Sequence, residues 1–238
     1  MSGALLEAAP LGMWATNCVV LGDRATGEAV VVDPGQHGEQ AVPVLLERVG
    51  LRASAILLTH AHLDHLWAAP ALARTLDVPV HLHPDDGWLW ARPEEAFGPQ
   101  GAQLAAGYGF TDWDIDGIDL RPLAHGQRLQ LAGLRIDVHH TPGHTPGHVV
   151  FTTDDLVGAT LRLDERPLDA TGTVMLAGDL LFAGSIGRTD LAGGDPAAMA
   201  RSLAACMAGC TDATLVIPGH GGATTIGAER DTNPFLPR

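Results

Sequence analysis

Between Thr59 and His65 the chain reads THAHLDH, which sets three histidines and an aspartate within seven residues, directly after the apolar run AILL. Imidazole and carboxylate donors of this kind suit Zn, Fe or Mn. His60 and His62 are two apart, so on a helix they point about 200° away from each other and share no ion. In the turn that closes a strand they can share one, while Asp64 and His65 enter a first helical turn aimed at a neighbouring position. The spacing therefore suggests two adjacent metal sites. His144 in TPGHTPGH, Asp179 in LAGD and His220 in IPGH each follow a glycine at the end of an apolar run, where backbone can approach closely. No cysteine stands in these turns, which argues against a structural zinc knot and for a catalytic site with an open position.

The elements that must carry these residues are short. Apolar runs near 17–22, 28–35, 54–60, 78–84, 133–143, 148–153, 173–179 and 213–220 predict strands, and helical spacing falls at 38–49, 64–76, 196–207 and 225–231. Interleaved strands and helices predict a layered α/β fold. Five strand ends, VVVDPG, ILLTHAH, DVHHTPGH, VMLAGD and LVIPGH, finish in turns tipped with His or Asp, and such turns can converge on one sheet edge. Two β-rich halves, roughly 1–130 and 131–238, each supply some of them. Residues 91–119 read as a surface loop with its own aromatic cluster or as a lid over the site, and 154–172 as an exposed connection.

At 238 residues the chain fits a single domain, 1–238. Its net charge of −14 opposes nucleic acid as a partner. All 14 basic residues are Arg, so neither a Schiff-base lysine nor the lysine of a phosphate-binding P-loop is available. Cys18, Cys206 and Cys210 lack CxxC spacing and read as small buried residues rather than a disulfide framework. The start, MSGALLEAAPLGMW, lacks the pattern of a secretory signal, and no apolar run reaches about 18 residues. A cytoplasmic protein without a membrane span is the expectation.

The combined motif resembles the metallo-β-lactamase-fold hydrolases, whose signature is T-H-x-H-x-D-H followed by separated His, Asp and His. GDLLFAGSIGRTDL, TPGHTPGH, VIPGHGGATTIGAE and TNPFL are similar to the glyoxalase II-like branch of that family. The resemblance implies an αββα sandwich with the site at one edge of the sheets. It implies that His60, His62 and His144 hold one divalent ion, that Asp64, His65 and His220 hold a second, and that Asp179 bridges them. Zinc is the expected ion, with iron or manganese as alternatives. Asp33 in VVDPG aligns with a family aspartate near the ligands and reads as an acceptor that orients a histidine, or as a turn-forming Asp before Pro. Arg188 in GSIGRTD reads as an anion-binding group for substrate or as a salt-bridged structural residue.

The chemistry implied is metal-assisted hydrolysis of a small-molecule acyl thioester, because a water held between two cations loses a proton near neutral pH. Asp64 and Asp179 are the carboxylates of that machinery, and no Ser or Cys nucleophile is needed. Well-known glyoxalase II proteins carry a further C-terminal helical domain, whereas this sequence ends at TNPFLPR, so the thiol carrier is open. A persulfide dioxygenase with one iron at His60, His144 and Asp179 is the nearest rival, since GRTD suits it too. A β-lactamase, a nuclease of the same fold and a catalytically silent metal sensor fit less well. His37, His81, His83, His125, His139, His140 and His148 read as surface or hydrogen-bonded structural residues.

Overall fold

The strand Glu28–Val32 (EAVVV) shows why the layers form. Its side chains alternate between faces, and because both are apolar, Ala29 and Val31 pack on one side while Val30 and Val32 pack on the other, all nearly inaccessible. Such a strand must be covered on both sides. The computed structural model, which describes residues 3–236, supplies the cover as four layers.

The first sheet has eight strands, in the order Arg166–Leu168, Thr160–Leu163, Ala4–Leu11, Thr16–Asp23, Glu28–Val32, Arg52–Leu57, Val80–Leu82 and Leu120–Pro122. The second has six, in the order Thr224–Thr225, Leu215–Pro218, Val174–Gly178, Val149–Thr153, Leu134–His140 and Arg128–Leu131. Leu6, Val19 and Leu57 of the first sheet meet Ile136, Phe151 and Leu176 of the second in one apolar layer. Each such side chain contributes about 1.5–3 kcal/mol on burial. Helices Gly38–Val49 and Ala69–Leu76 cover the outer face of the first sheet through Val42, Leu46 and Leu72. Helix Pro196–Gly209 covers the second through Met199 and Leu203, and its start is capped by Asp195, whose carboxylate accepts from Ala197 N and Ala198 N. The expected αββα sandwich is the architecture observed.

Three expectations change. The helix predicted over 64–76 is broken into Leu63–Leu66 and Ala69–Leu76, where Pro70, which has no N–H to bond the turn before it, sits in the first turn of the second piece. The segment 154–172 is no simple exposed connection: it contains the hairpin Thr160–Leu163/Arg166–Leu168, which pairs with Ala4–Leu11 and crosses from the second half of the chain into the first sheet. Its TLRL run buries Leu161 and Leu163 and exposes Thr160 and Arg162, a half-buried strand pattern that its polar residues conceal. The opening strand Ala4–Leu11 is likewise absent from the runs above. Residues 91–119 are partly helical, with a 3-10 stretch Pro93–Gln100 and a helix Gly101–Gly107. They pack Ala96, Ala105 and Phe110 into the outer core.

Candidate metal centre

Turns from both sheets meet at one edge of the sandwich. His60 and His62 follow Arg52–Leu57, His144 follows Leu134–His140, Asp179 follows Val174–Gly178 and His220 follows Leu215–Pro218, while Asp64 and His65 lie in the helical turn Leu63–Leu66. The structure brings all seven together. Potential ligand atoms of His60, His62 and His144 lie within 4.8 Å of one another, as do those of Asp64, His65 and His220, and those of His60, His65 and Asp179. Asp179 stands between the sets: its Oδ2 is 3.5 Å from His144 Nε2 and 3.6 Å from His220 Nε2, and its Oδ1 is 3.3 Å from His65 Nε2.

Close approach at this point depends on glycine. Gly178 has φ 47°, and a Cβ there would lie 2.7 Å from His148 Nε2 and from Thr59 Oγ1. A Cβ on Gly219 would lie 2.1 Å from Asp179 Oδ1. Gly219 of IPGH thus leaves the space that the carboxylate occupies, and Gly178 of LAGD the space of the His148 ring and Thr59 hydroxyl behind it.

Hydrogen bonds behind the site select which nitrogen each ring offers. His144 Nδ1 donates to Arg188 O at 2.7 Å and His220 Nδ1 to Trp14 O at 2.9 Å; a carbonyl only accepts, so Nε2 keeps its lone pair in both. His65 Nδ1 donates to Asp33 Oδ2 at 2.9 Å. Thr59 gives its hydroxyl proton to the same Oδ2 at 2.6 Å, so His60 Nδ1, 3.1 Å from Thr59 Oγ1, is the donor in that pair. Four histidines therefore turn Nε2 inward, the nitrogen each ring has left for a ligand. His62 differs, with Nδ1 only 2.8 Å from His144 Nε2, a separation that either a proton or a shared cation reconciles.

Fit to a cation follows from the atoms left over. Among the described residues, His60 Nε2, His62 Nε2, His65 Nε2 and Asp179 Oδ1 are buried without any hydrogen-bond partner, and orphaned polar atoms of this kind call for an explanation. His81 also lacks partners, but it joins none of the ligand groups. Burial, helped by the neighbouring imidazoles, holds the pKa of His60 well below 6.5 and that of His62 at about 3. Both are neutral and ready to ligate. Burial also opposes a charge on His65, but Asp64, Asp179 and Asp33 outweigh it and hold its pKa well above 6.5. Burial pushes the Asp64 carboxyl upward, and His65 with the bond from His220 overcomes it, leaving a value of about 2. The donor set, five imidazoles and two carboxylates around one gap, fits a di-metal site.

Several contributors escape a reading of spacing. Thr16 Oγ1 donates to Asp64 Oδ2 at 3.1 Å. His148, set aside above as structural, is buried with Nε2 accepting from Asp179 N at 3.0 Å and Nδ1 2.8 Å from Thr141 Oγ1, so it holds the backbone of the central carboxylate. These partners lie far apart in sequence, and only the repeat TPGHTPGH hinted at His148. Asp33 has φ 49°, a left-handed conformation that Asp tolerates better than most residues. Its two oxygens accept from Thr59 N, Thr59 Oγ1 and His65 Nδ1. A fourth ligand-like group, His83, Asp85 and His140, is poorly arranged: the two imidazoles stack at 3.9 Å with planes 10° apart, so their in-plane lone pairs do not meet on one ion.

Beside the centre lies a cavity of about 510 Å³ walled by Trp14, Phe97, Phe182, Ile186 and Leu191, with Arg188 at its rim. Phe97 comes from the 91–119 segment. The Arg188 guanidinium is bonded twice to Asp190, at 2.7 Å each, and is largely exposed. Among the described residues no helix is long and apolar enough to cross a membrane.

Residues 11–157 match the Metallo-beta-lactamase superfamily. Hydroxyacylglutathione hydrolase GloC of Haemophilus influenzae is 31% identical over 97% of this chain and 97% of its own length. A B3 metallo-beta-lactamase, BLEG-1, is 33% identical with a TM-score of 0.78, covering 98% of this chain and 100% of that one. TTHA1623, solved in a di-iron-bound form, is 37% identical with a TM-score of 0.75, covering 97% and 100%. With the family match spanning residues 11–157 and these likenesses running nearly end to end, the chain belongs to the metallo-β-lactamase superfamily.

Proposed function

We propose that the chain is a hydrolase that cleaves the acyl thioester of a small thiol with the help of two divalent ions. The observation that carries this reading is the second ligand set: Asp64, His65 and His220 stand complete beside His60, His62 and His144, with Asp179 between them. A one-iron dioxygenase would use only His60, His144 and Asp179, and one-iron relatives can retain the second set without loading it, so the number of ions held decides between the two readings. The likeness to GloC supports a thioester of glutathione or a related thiol as the substrate class. Zinc is the ion we assign, and iron is the alternative that TTHA1623 illustrates.

When bound, the ions would supply a nucleophile at neutral pH and a Lewis acid for the carbonyl oxygen. The protein supplies the rest. Asp64 and Asp179 keep their negative charge at any ordinary pH, since both pKa values are depressed against the pull of burial by His65 and the other facing imidazoles. Asp33, Arg188 O and Trp14 O fix the imidazole tautomers. Trp14, Phe97, Phe182 and Ile186 form an apolar wall that excludes water and fits an alkyl or acyl chain. Arg188, once released from Asp190, would meet a carboxylate on the thiol carrier.

The test is metal content per chain together with turnover of S-lactoylglutathione, glutathione persulfide and a β-lactam. Near two ions with thioester turnover supports the proposal. One iron with oxygen uptake on the persulfide, or selective turnover of the β-lactam, overturns it.

A further inference from the structure

Asp86 lies outside the metal motifs, in the 3-10 turn Pro84–Asp86 that follows the strand Val80–Leu82. Its carboxylate is fully buried. Every bond it accepts comes from one of two ligand-bearing turns. Oδ2 accepts from Ala61 N at 3.0 Å, the amide between His60 and His62, and from Thr145 Oγ1 at 2.7 Å, the residue after His144. Oδ1 accepts from Gly147 N at 2.6 Å. Three donors on two oxygens demand a carboxylate, because a carboxamide offers only one accepting oxygen. Gly147 independently marks the same spot: a Cβ there would lie 2.6 Å from Asp86 N and 2.7 Å from its Oδ1. The second glycine of TPGHTPGH is therefore the space in which Asp86 sits.

We infer that Asp86 is a positioning residue for the first metal set, clamping the turn of His60 and His62 to the turn of His144. The inference rests on the metal-binding reading above. None of its bonds reaches Asp64, His65 or His220, whose orientation comes from Thr16, Asp33 and Trp14. The clamp accordingly acts on one set and spares the other. Asparagine makes the sharpest substitution. Whichever way the amide is turned, its NH2 faces either the Ala61 or the Gly147 amide, both of which only donate, so one of the two turns is released.

The experiment is zinc titration against a chromophoric chelator in two backgrounds: His220→Ala, which leaves the first set whole, and His62→Ala, which leaves the second. Asp86→Asn is added to each, and amide exchange at Ala61 and Gly147 is followed in the metal-free protein. Groups that orient metal ligands typically govern 10–100-fold in affinity. We expect a loss of about that size in the His220→Ala background, a change under about threefold in the His62→Ala background, and faster exchange at Ala61 or Gly147. Equal losses in both backgrounds, or no loss in either, overturn the inference. Failure of either background to bind zinc before Asp86 is touched counts against the metal reading instead. Should Asp86→Asn not fold, Thr145→Val removes one bond of the three, and a smaller loss confined to the first set is required.

Discussion

Replacing Asp33 by asparagine tests whether the tautomers of the site are set from behind. In the native protein Asp33 Oδ1 accepts from Thr59 N at 2.8 Å, and Oδ2 accepts from both Thr59 Oγ1 at 2.6 Å and His65 Nδ1 at 2.9 Å. The asparagine oxygen must stay opposite Thr59 N, which only donates, so its NH2 takes the place of Oδ2. His65 Nδ1 then becomes an acceptor, so the one proton that metal uptake would leave on the ring is confined to Nε2, the atom that faces Asp64 and Asp179. The Thr59 hydroxyl also reverses, accepting from the amide and donating to His60 Nδ1 3.1 Å away, which shifts the single His60 proton to Nε2. One atom changed thus blocks a ligand in each set. At 10–100-fold per site, each loss equals about 1.4–2.8 kcal/mol of metal binding. Asp33→Ala removes the acceptors without imposing the wrong tautomer, so it should weaken metal less than asparagine does. Its backbone should suffer more, because alanine at φ 49° costs roughly 1–3 kcal/mol. Chelator competition for metal affinity and thermal melts of the metal-free proteins give the two rankings. If the alanine variant binds metal more weakly than the asparagine variant, the tautomer argument is wrong.

Loss of Asp179 should be the most damaging single change among the ligands, since its oxygens face His65, His144 and His220 together. Asp179→Ala should lower occupancy of both ions, whereas His62→Ala or His220→Ala should chiefly lower one; unchanged metal content and turnover in Asp179→Ala would sink the central role. His65 carries a proton in the metal-free protein near neutrality, because its folded pKa lies well above 6.5. Metal uptake must displace it, so apparent affinity should rise from pH 6 to pH 8 with protons released to the buffer, as calorimetry in two buffers of different ionisation enthalpy would register. The sign for stability is opposite: a raised folded pKa stabilises the metal-free protein below 6.5 and loses that contribution as the pH climbs through the folded value, so the melting temperature of the apo form should fall in alkali. An apo melting temperature that rises there counts against a protonated His65.

What the sequence discloses follows the length scale of each interaction. Strand ends such as VVVDPG and VMLAGD are legible because an apolar run, a turn residue and a ligand-type side chain are contiguous, so four turns with their seven candidate ligands, and a fifth with Asp33, can be picked out before any fold is known. The αββα layering is legible through the two-faced apolar strands, of which Glu28–Val32 is the plainest. Hidden are pairings whose partner is distant. The hairpin of Thr160–Leu168 looks like polar connection until Ala4–Leu11 is beside it. Carbonyls of Trp14 and Arg188 orient His220 and His144, and a carbonyl carries no residue type by which spacing could reveal it. Arg188 illustrates the mixture: the side chain suggests an anion partner, while the firmest contact to the site is made by its backbone oxygen.

The location of the centre has a structural reason beyond the ligands themselves. Packed sheets lie about 10 Å apart, and here apolar side chains fill the layer between them, so the ligands gather where the strands end. At this edge the two sheets are drawn together by backbone bonds: Val149 N donates to Thr59 O at 2.8 Å, Asn17 N to Gly219 O at 2.7 Å, and Thr16 bridges to His220. Gly219 N also donates to Gly178 O at 2.8 Å, holding the Asp179 and His220 turns side by side. Convergence of His60 with His144, and of Asp64 with His220, is a consequence of that closure. The dependence runs both ways, because His60, His65 and Asp179 leave buried polar atoms unpartnered, and each such atom costs about 1–3 kcal/mol. Ions at the edge would relieve that cost as part of their binding, and at a free concentration near 1,000 times its Kd one ion would stabilise the fold by about 4.1 kcal/mol in all. Closure of the sandwich at this edge and the binding of an ion there would therefore be thermodynamically linked, and Gly178 and Gly219 leave the space on which both depend.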